Sequence, residues 1–375
     1  MLRCNACDKE FISNQKVPDK WDNTARSAIV LQRINGMPFT RLAKLQGLYN
    51  VPVAPSTLWV QCLGLWLDCG YLIYQQLINL AAECKLFYLD DTGAKILEVI
   101  QENKTLPEKQ QRSSHTTGVC TETKEGQKIT LYITDNKYCG ENFAPLLESR
   151  ENRDHYIKIV ADASSQNTPK LDKEELKKVI IANCIAHGRQ KFYDLKDYYE
   201  ECRYFLTEIG AIYKVEEECR NYCARKKLRC HKSRSSGHIR NIYSKIRYLF
   251  KEKIIEPNSD LGKAMNYWLR HKPELTKFLR VKGIGLDTNK VERALKSIIL
   301  QRKNSLFFKT RTSAKVLSGL HSIVKTCEDN KVNSFAYLNW LQSNSRNVQK
   351  GELGYMPWDY IKLMAYINST ELIAA

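Results

Sequence analysis

Three acidic side chains stand where metal chemistry on a phosphodiester could be done. Asp90 closes the apolar stretch LFYLD, Asp162 closes IKIVAD, and Glu292 lies within GLDTNKVERALKS, residues 285–297. A trio of carboxylates suits Mg2+ or Mn2+, hard cations that keep several waters and bind substrate phosphates. Two such ions, about 3.5–4 Å apart, activate an attacking oxygen and stabilise the leaving one. Each acid also has an ordinary explanation. Strand-end acids serve turns and caps, and Glu292 sits at the edge of the helical stripe Val291, Leu295, Ile298 and Ile299, where a carboxylate is most often a solvated flank. Asp91 rivals Asp90, but neighbours on a strand point to opposite faces, so only one of them can enter a given site.

Sulfur and imidazole supply weaker signals. Cys4 and Cys7 have the C-x-x-C spacing of a zinc knuckle, but a structural site needs four ligands and no second pair follows nearby. Cys184 and His187, in CIAHGRQKF, suit neither a nucleophile pair nor a metal pair strongly, because no further ligand is close in sequence. Cys219, Cys223, Cys230 and His231 form another ligand-like group, yet the first two are spaced as neighbours on one helix face, where reduced cysteine packs as a small hydrophobe.

Charge points to the partner. Lys and Arg outnumber Asp and Glu by 59 to 41, a net +18 over 375 residues, which favours a polyanion. Between Arg220 and Lys253 there are 12 basic residues against one acid, Glu252. A solvated helix face normally mixes both signs, so nucleic acid is the favoured partner, with Arg225, Lys226, Lys227 and Arg229 as phosphate contacts. No apolar run approaches the roughly 20 residues that span a bilayer, and MLRCNACDKEF lacks a signal-peptide core. These features predict a cytoplasmic protein with no membrane partner and reduced cysteines.

The elements that must position the acids follow from periodicity. Residues 19–84 read as helical, and a helix with Phe39, Leu42, Leu45 and Leu48 on one face, a turn at Asn50–Pro55 and a second helix from Ser56 or Thr57 make a helix-turn-helix candidate. KLFYLDDT, AKILEVI, TTGVCTE, QKITLYITD, HYIKIVADAS and LKKVIIANCIAH are short apolar segments rich in β-branched and aromatic residues, with a helix, ENFAPLLESR, between the fourth and fifth. They predict an α/β fold, a mixed sheet flanked by helices, with Asp90 and Asp162 at strand ends facing one crevice. Residues 189–280 turn helical and basic, with SRSSG (233–237) as the one flexible break. Helices then run to about Leu341, and SNSRNVQKGELGYMPWDY reads as a loop or tail. Asp287 or Thr288 caps the helix that carries Glu292.

In order along the chain, YLDDTGAKILE, ENFAPLLESR, ANCIAHGRQKF, EPNSDLGKAMNYW, LDTNKVERALK, RKNSLFFKT and GYMPWDY resemble the signature segments of transposases of the insertion sequence 66 family, a likeness covering residues 1–360. The resemblance implies a ribonuclease H-like catalytic domain (85–188 and 281–345) with Asp90, Asp162 and Glu292 as a DDE-type triad holding Mg2+ or Mn2+. It implies a helical DNA-binding region at 19–84, a basic helical insertion at 189–280 before the third acid, and a C-terminal tail at 346–375. Residues 1–18 would be the remnant of a zinc ribbon, with Cys4 and Cys7 as its ligands and a chain that starts late. His187, Arg189, Arg293, Arg302 and Lys303 join the basic insertion as implied contacts to double-stranded DNA, both transposon ends and target. The implied setting is a bacterial, nucleoid-associated homo-oligomer on DNA, helped by accessory proteins of the same element. The sequence departs from the family at Thr288, where Asp-Asn-Asn is usual before the glutamate motif. Two alternatives stay open: a ribonuclease H-like nuclease without strand transfer, and a DNA-binding remnant without catalysis.

Overall fold

The computed structural model describes residues 2–3, 10–11 and 21–374, with side chains from 21 to 367. The Cys4–Cys7 pair lies outside the described residues. Leu2–Arg3 and Glu10–Phe11 pair antiparallel. A helical region follows: α1 (Asn23–Ile34), α2 (Phe39–Leu48), α3 (Pro55–Leu65) and α4 (Tyr71–Ala82), with a π-turn at Trp66–Gly70 joining the last two. The second helix of the helix-turn-helix candidate therefore starts at Pro55, whose missing N–H costs nothing in a first helical turn.

The sheet has five strands: β1 (Leu86–Ala94), β2 (Ser114–Glu122), β3 (Lys128–Asp135), β4 (Ile157–Ala161) and β5 (Val179–Asn183). Their spatial order is β3-β2-β1-β4-β5; β1, β2 and β3 pair antiparallel, and β1, β4 and β5 parallel. The mixed α/β architecture expected from the sequence is present. Four particulars differ. AKILEVI is a helix, α5 (Leu97–Asn103), entered through Ile96, which bridges to Phe308 instead of joining the sheet. Asp90 does not close its strand: β1 continues four residues further to Ala94, because β2 still supplies a partner, with Gly118 opposite Asp90. SRSSG is no break but lies inside one long helix, Ala224–Lys251, where Ser235 is buried against His231. The C-terminal segment is also more ordered than a loop: residues 345–349 and 357–374 are helical, and Val348 and Met356 are buried.

Two layers clasp the sheet. Alternate residues of the central strands, Phe87, Leu89 and Ile159, pack with α4 and with α6 (Cys139–Glu148) in the main core. Tyr88 and Val160 face the other way, and so by alternation does Asp90. That second face receives α7 (Ile185–Tyr193) and the basic insertion, built on α8 (Glu201–Glu218), α9 (Ala224–Lys251) and α10 (Asp260–Arg270). The insertion carries its own core of Phe192, Phe205, Ile209, Ile242, Ile246 and Trp268, continuous with the sheet through Val160 and Ala182. Trp268 lies against Gly188 and donates its indole N–H to that residue's carbonyl at 3.1 Å, a close approach that a side chain at 188 would block.

α11 (Asn289–Ser305) crosses β1 and β2 on this face. Val291 and Leu295 come so near Gly118 that a Cβ there would stand 2.9 and 3.0 Å from their methyl carbons. Tyr132 anchors the same helix from β3, donating its hydroxyl to the Ala294 carbonyl at 2.7 Å. α12 (Arg311–Asp329) then seals the edge of β3: the Ser322 and Thr326 hydroxyls accept from the Tyr132 and Thr130 N–H groups at 2.8 and 3.2 Å. An edge strand with such partners presents fewer free donors to other chains. α13 (Ser334–Ser343) and α14 (Pro357–Ala374) complete the layer. Among the described residues, no helix is long and apolar enough to cross a membrane.

Candidate catalytic site

The last register pair of the parallel strands is Tyr88 with Val160, and Asp90 and Asp162 each lie two residues beyond it, on the same side of the paired stretch. Asp162 follows directly on β4, and its Oδ1 accepts the Ser164 N–H at 3.1 Å and the Asn167 side-chain amide. Glu292 comes from the first turn of α11, half exposed, and the Thr288 hydroxyl donates to its Oε1 at 2.7 Å. Thr288 therefore orients Glu292 and does not cap a backbone N–H. Asp287 does that work, accepting the Asn289 N–H at 3.1 Å.

The three acids are near enough to act on one another electrostatically. Burial lifts the Asp90 carboxyl to about 7; the Asp91 N–H opposes the rise, and the charges on Asp162 and Glu292 add to it. A half-buried carboxyl crowded by two others is an expensive anion unless a cation joins it. Asp91 is elsewhere. Its carboxylate accepts the Cys139 N–H at the start of α6, 3.2 Å away on the opposite face, and lies 3.9 Å from His115. The alternation of β1 thus separates the two rivals, Asp90 toward Asp162 and Glu292, Asp91 toward α6.

His187 stands beside the acids, with Nδ1 3.8 Å from Glu292 Oε1. Contact with the Cys184 sulfur, against the opposing effect of burial, raises the imidazole to about 9, with Glu292 and Asp162 contributing. His187, Arg189, Asn289 and Glu292 line an open cavity of about 550 Å³. On the other side of α11, a cavity of about 680 Å³ is lined by Tyr88, Lys128, Lys290, Arg293 and Lys325.

The remaining basic residues divide. Arg293, Arg225, Lys226, Arg229 and Lys303 are exposed, and Lys226 sits 3.9 Å over the Tyr222 ring. Lys227 is half-buried in an ion pair with Glu216. Arg302 is spent inside the protein: it donates to the Thr92 hydroxyl at 3.0 Å and to the Gly93 carbonyl, tying α11 to the end of β1. The cysteine group of the insertion is only partly assembled: Cys219 lies against Cys230, but the other members are placed apart. Helix α8 ends before Cys219, so Cys219 and Cys223 flank a turn instead of sharing a face, and His231 is held by Glu216 at 2.8 Å and Ser235 at 2.9 Å.

Sequence reasoning gave Thr288 a capping role and missed its hold on Glu292, and it overlooked Asn167, which holds Asp162, and Lys290 and Lys325, which share the larger cavity with Arg293. Thr288 had a signal, its i,i+4 spacing to Glu292 across the first helical turn. Asn167 had none beyond a polar loop.

Residues 22–316 match the Transposase IS66 family. The chain belongs to this family. Among curated proteins it is 29% identical over 186 residues to uncharacterized protein y4jD of Sinorhizobium fredii (strain NBRC 101917 / NGR234), an alignment covering 48% of the chain and 36% of that protein. With uncharacterized protein y4qI of the same strain it shares 26% over 189 residues, 48% of the chain and 34% of the relative. The chain thus spans about a third of the length of the curated relatives that it matches.

Proposed function

We propose that this IS66-family chain is a DDE-type transposase that hydrolyses phosphodiesters at transposon ends and joins the freed 3′-hydroxyl to target DNA. The observation that supports the reading is the placement of Asp90 and Asp162 just beyond the last register pair of adjacent parallel strands, with Glu292 on the helix that crosses this face and both charges acting on the Asp90 carboxyl. A mixed sheet with helices on both faces supports a ribonuclease H-like catalytic unit formed by 85–188 and 281–345. Residues 19–84 and the basic insertion 189–280 are then DNA-binding parts, 346–375 a tail, and 1–18 a zinc-ribbon piece with Cys4 and Cys7.

The donor set fits a hard divalent ion, since all three side chains offer carboxylate oxygen. When bound, Mg2+ or Mn2+ supplies charge for the attacking and leaving oxygens of the phosphodiester. The protein's own contribution is to hold these carboxylates at fixed positions. Asn167 and Ser164 fix Asp162, Thr288 fixes Glu292, and the backbone of β1 fixes Asp90, whose Oδ1 accepts the Asp91 N–H at 2.9 Å. Arg293 and Lys290 around the larger cavity, with His187 and Arg189 around the smaller, meet phosphates on either side of α11, while Lys325 is held by Asp329 and Glu328. Exposed Arg225, Lys226 and Arg229 extend that contact along the insertion. The partner is double-stranded DNA, held by a homo-oligomer with accessory proteins of the element.

The deciding experiment is strand transfer by the purified chain on DNA bearing the element's own ends, with Mg2+ or Mn2+. Joined products support the proposal. Cleavage without joining indicates a nuclease, and binding without cleavage a DNA-binding remnant.

A further inference from the structure

The fold completes a ligand pair that the sequence left incomplete. Cys184 and His187 stand three residues apart where β5 passes into α7, and α11 brings the Glu292 carboxylate to them. One ligand atom from each of the three lies within 4.8 Å of the others. The His187 Nδ1 facing Glu292 is buried without a hydrogen-bond partner of normal geometry. A tetrahedral zinc ion takes sulfur at about 2.3 Å, nitrogen at about 2.0–2.1 Å and carboxylate oxygen at about 2.0–2.2 Å, so its ligand atoms stand roughly 3.3–3.8 Å apart. The 3.8 Å between His187 and Glu292 is already at that spacing. The remaining gaps close by about an ångström, within the rotamer freedom of two partly exposed side chains.

Thr288 touches two of the three side chains. Its backbone N–H donates to the Cys184 sulfur at 3.4 Å and its hydroxyl to Glu292 at 2.7 Å, the kind of outer support that metal ligands ordinarily have. The cavity lined by His187, Arg189, Asn289 and Glu292 leaves a fourth position open to water.

We propose that Cys184, His187 and Glu292 form a site for a borderline-soft transition ion of the Zn2+ type, separate from the oxygen site of Asp90 and Asp162 and competing with it for Glu292. Thiolate and imidazole favour zinc over magnesium, whereas the carboxylate serves either ion. Occupation releases the thiol proton, and any imidazolium proton, to solvent. The ligand set stands on geometry alone; the competition rests on the metal role proposed above for Glu292. Its consequence is inhibition: a zinc-type ion drawing Glu292 toward Cys184 removes a ligand from the phosphodiester-cutting site.

The test is Co2+ titration of the metal-stripped full chain in a Cys4→Ser/Cys7→Ser background, reading the near-ultraviolet thiolate-to-cobalt band and the binding stoichiometry. One equivalent should bind with that band and be displaced by Zn2+. Cys184→Ser should lose both the band and the equivalent, while Asp90→Asn keeps both. Should Cys184→Ser fail to fold by circular dichroism, His187→Gln provides the reading, with Co2+ affinity at least tenfold weaker. A band that survives Cys184→Ser in a folded chain, unchanged affinity in His187→Gln, or equal loss in Asp90→Asn overturns the proposal. In parallel, Zn2+ should inhibit Mg2+-dependent cleavage by the unaltered chain and spare Cys184→Ser; equal inhibition of both overturns the competition. A chain that gives the cobalt band but never cuts DNA contradicts the transposase reading and leaves this site standing.

Discussion

Gly118→Ala isolates how the sheet sets the position of Glu292. Gly118 pairs with Asp90 across β1 and β2 and lies under the first turns of α11. A methyl at 118 would stand 2.9 Å from Val291 Cγ2 and 3.0 Å from Leu295 Cδ2. Nonbonded carbons rest at about 3.5–4.0 Å, so α11 must lift by roughly 0.6 Å or more. Val291 cannot rotate its methyl away cheaply, because a β-branched side chain in a helix has one strongly preferred rotamer. Overpacking of this kind costs about 1–3 kcal/mol, part of it offset by the roughly 0.5–1 kcal/mol by which alanine outperforms glycine in a strand. Glu292 follows Val291 and moves with it. A misplacement near 1 Å costs on the order of 100-fold in rate, so cleavage should fall about 10- to 100-fold. The assays are urea denaturation, DNA affinity by fluorescence anisotropy, and single-turnover cleavage of end DNA at saturating protein. DNA affinity should stay within twofold of the parent. Adding Val291→Ala removes one of the clashing methyls and should recover part of the rate, a reversal that general destabilisation would not give. Cleavage within twofold of the parent in Gly118→Ala refutes the idea that packing on this glycine positions the acid.

Three further outcomes are expected. Reversing Arg225, Lys226 and Arg229 to glutamate should weaken binding to all DNA sequences alike and flatten the salt dependence by about 0.9 for each phosphate no longer neutralised; a change confined to sequence preference would show a base-reading segment instead. Asp91→Ala removes the acceptor of the Cys139 N–H at the start of α6 and should cost about 1–2 kcal/mol of stability with less than a tenfold loss of cleavage, whereas Asp90→Asn should end cleavage; the reverse pattern would exchange their roles. His321 is buried, and burial, with Arg33 and Lys325 adding, lowers its imidazole to about 3. The folded chain therefore holds it neutral: its stabilising share is fully present above the unfolded value of about 6.5 and fades as pH falls toward 3, about 2 kcal/mol between pH 7 and 5. Urea unfolding of His321→Gln should lack that share of the slope, and parallel stability curves for variant and parent would contradict it.

Much of the sheet was legible because its strands carry β-branched and aromatic runs bounded by polar turns, and the helical spacing of Val291, Leu295 and Ile298 marked α11 plainly. The errors came where tertiary contacts overrule local pattern. AKILEVI has strand composition, yet Ile96 is claimed by Phe308, and the chain turns into a helix. SRSSG has loop composition, but buried Ser235 bonds His231, and the helix runs through it. The acids could be named from their sequence contexts, but not their supports. Asn167, Gly118 and the meeting of Cys184 with Glu292 depend on pairing and packing between segments far apart in the chain. Arg302 shows the converse, a basic residue that resembles a phosphate contact in sequence and is consumed by Thr92 and Gly93 in the fold.

The central claim, that Asp90, Asp162 and Glu292 act together as the ligands of a phosphodiester-cutting metal site, is tested most directly by one rate. It is the single-turnover cleavage of end DNA by Glu292→Gln relative to the parent, at saturating protein with Mg2+ or Mn2+. The substitution keeps shape and the hydrogen bond from Thr288 but removes the charge that holds the ion. Metal stabilisation worth several kcal/mol predicts a fall of about 1000-fold or more, with DNA affinity within twofold. A fall of less than tenfold would place Glu292 among the solvated helix flanks and contradict the account.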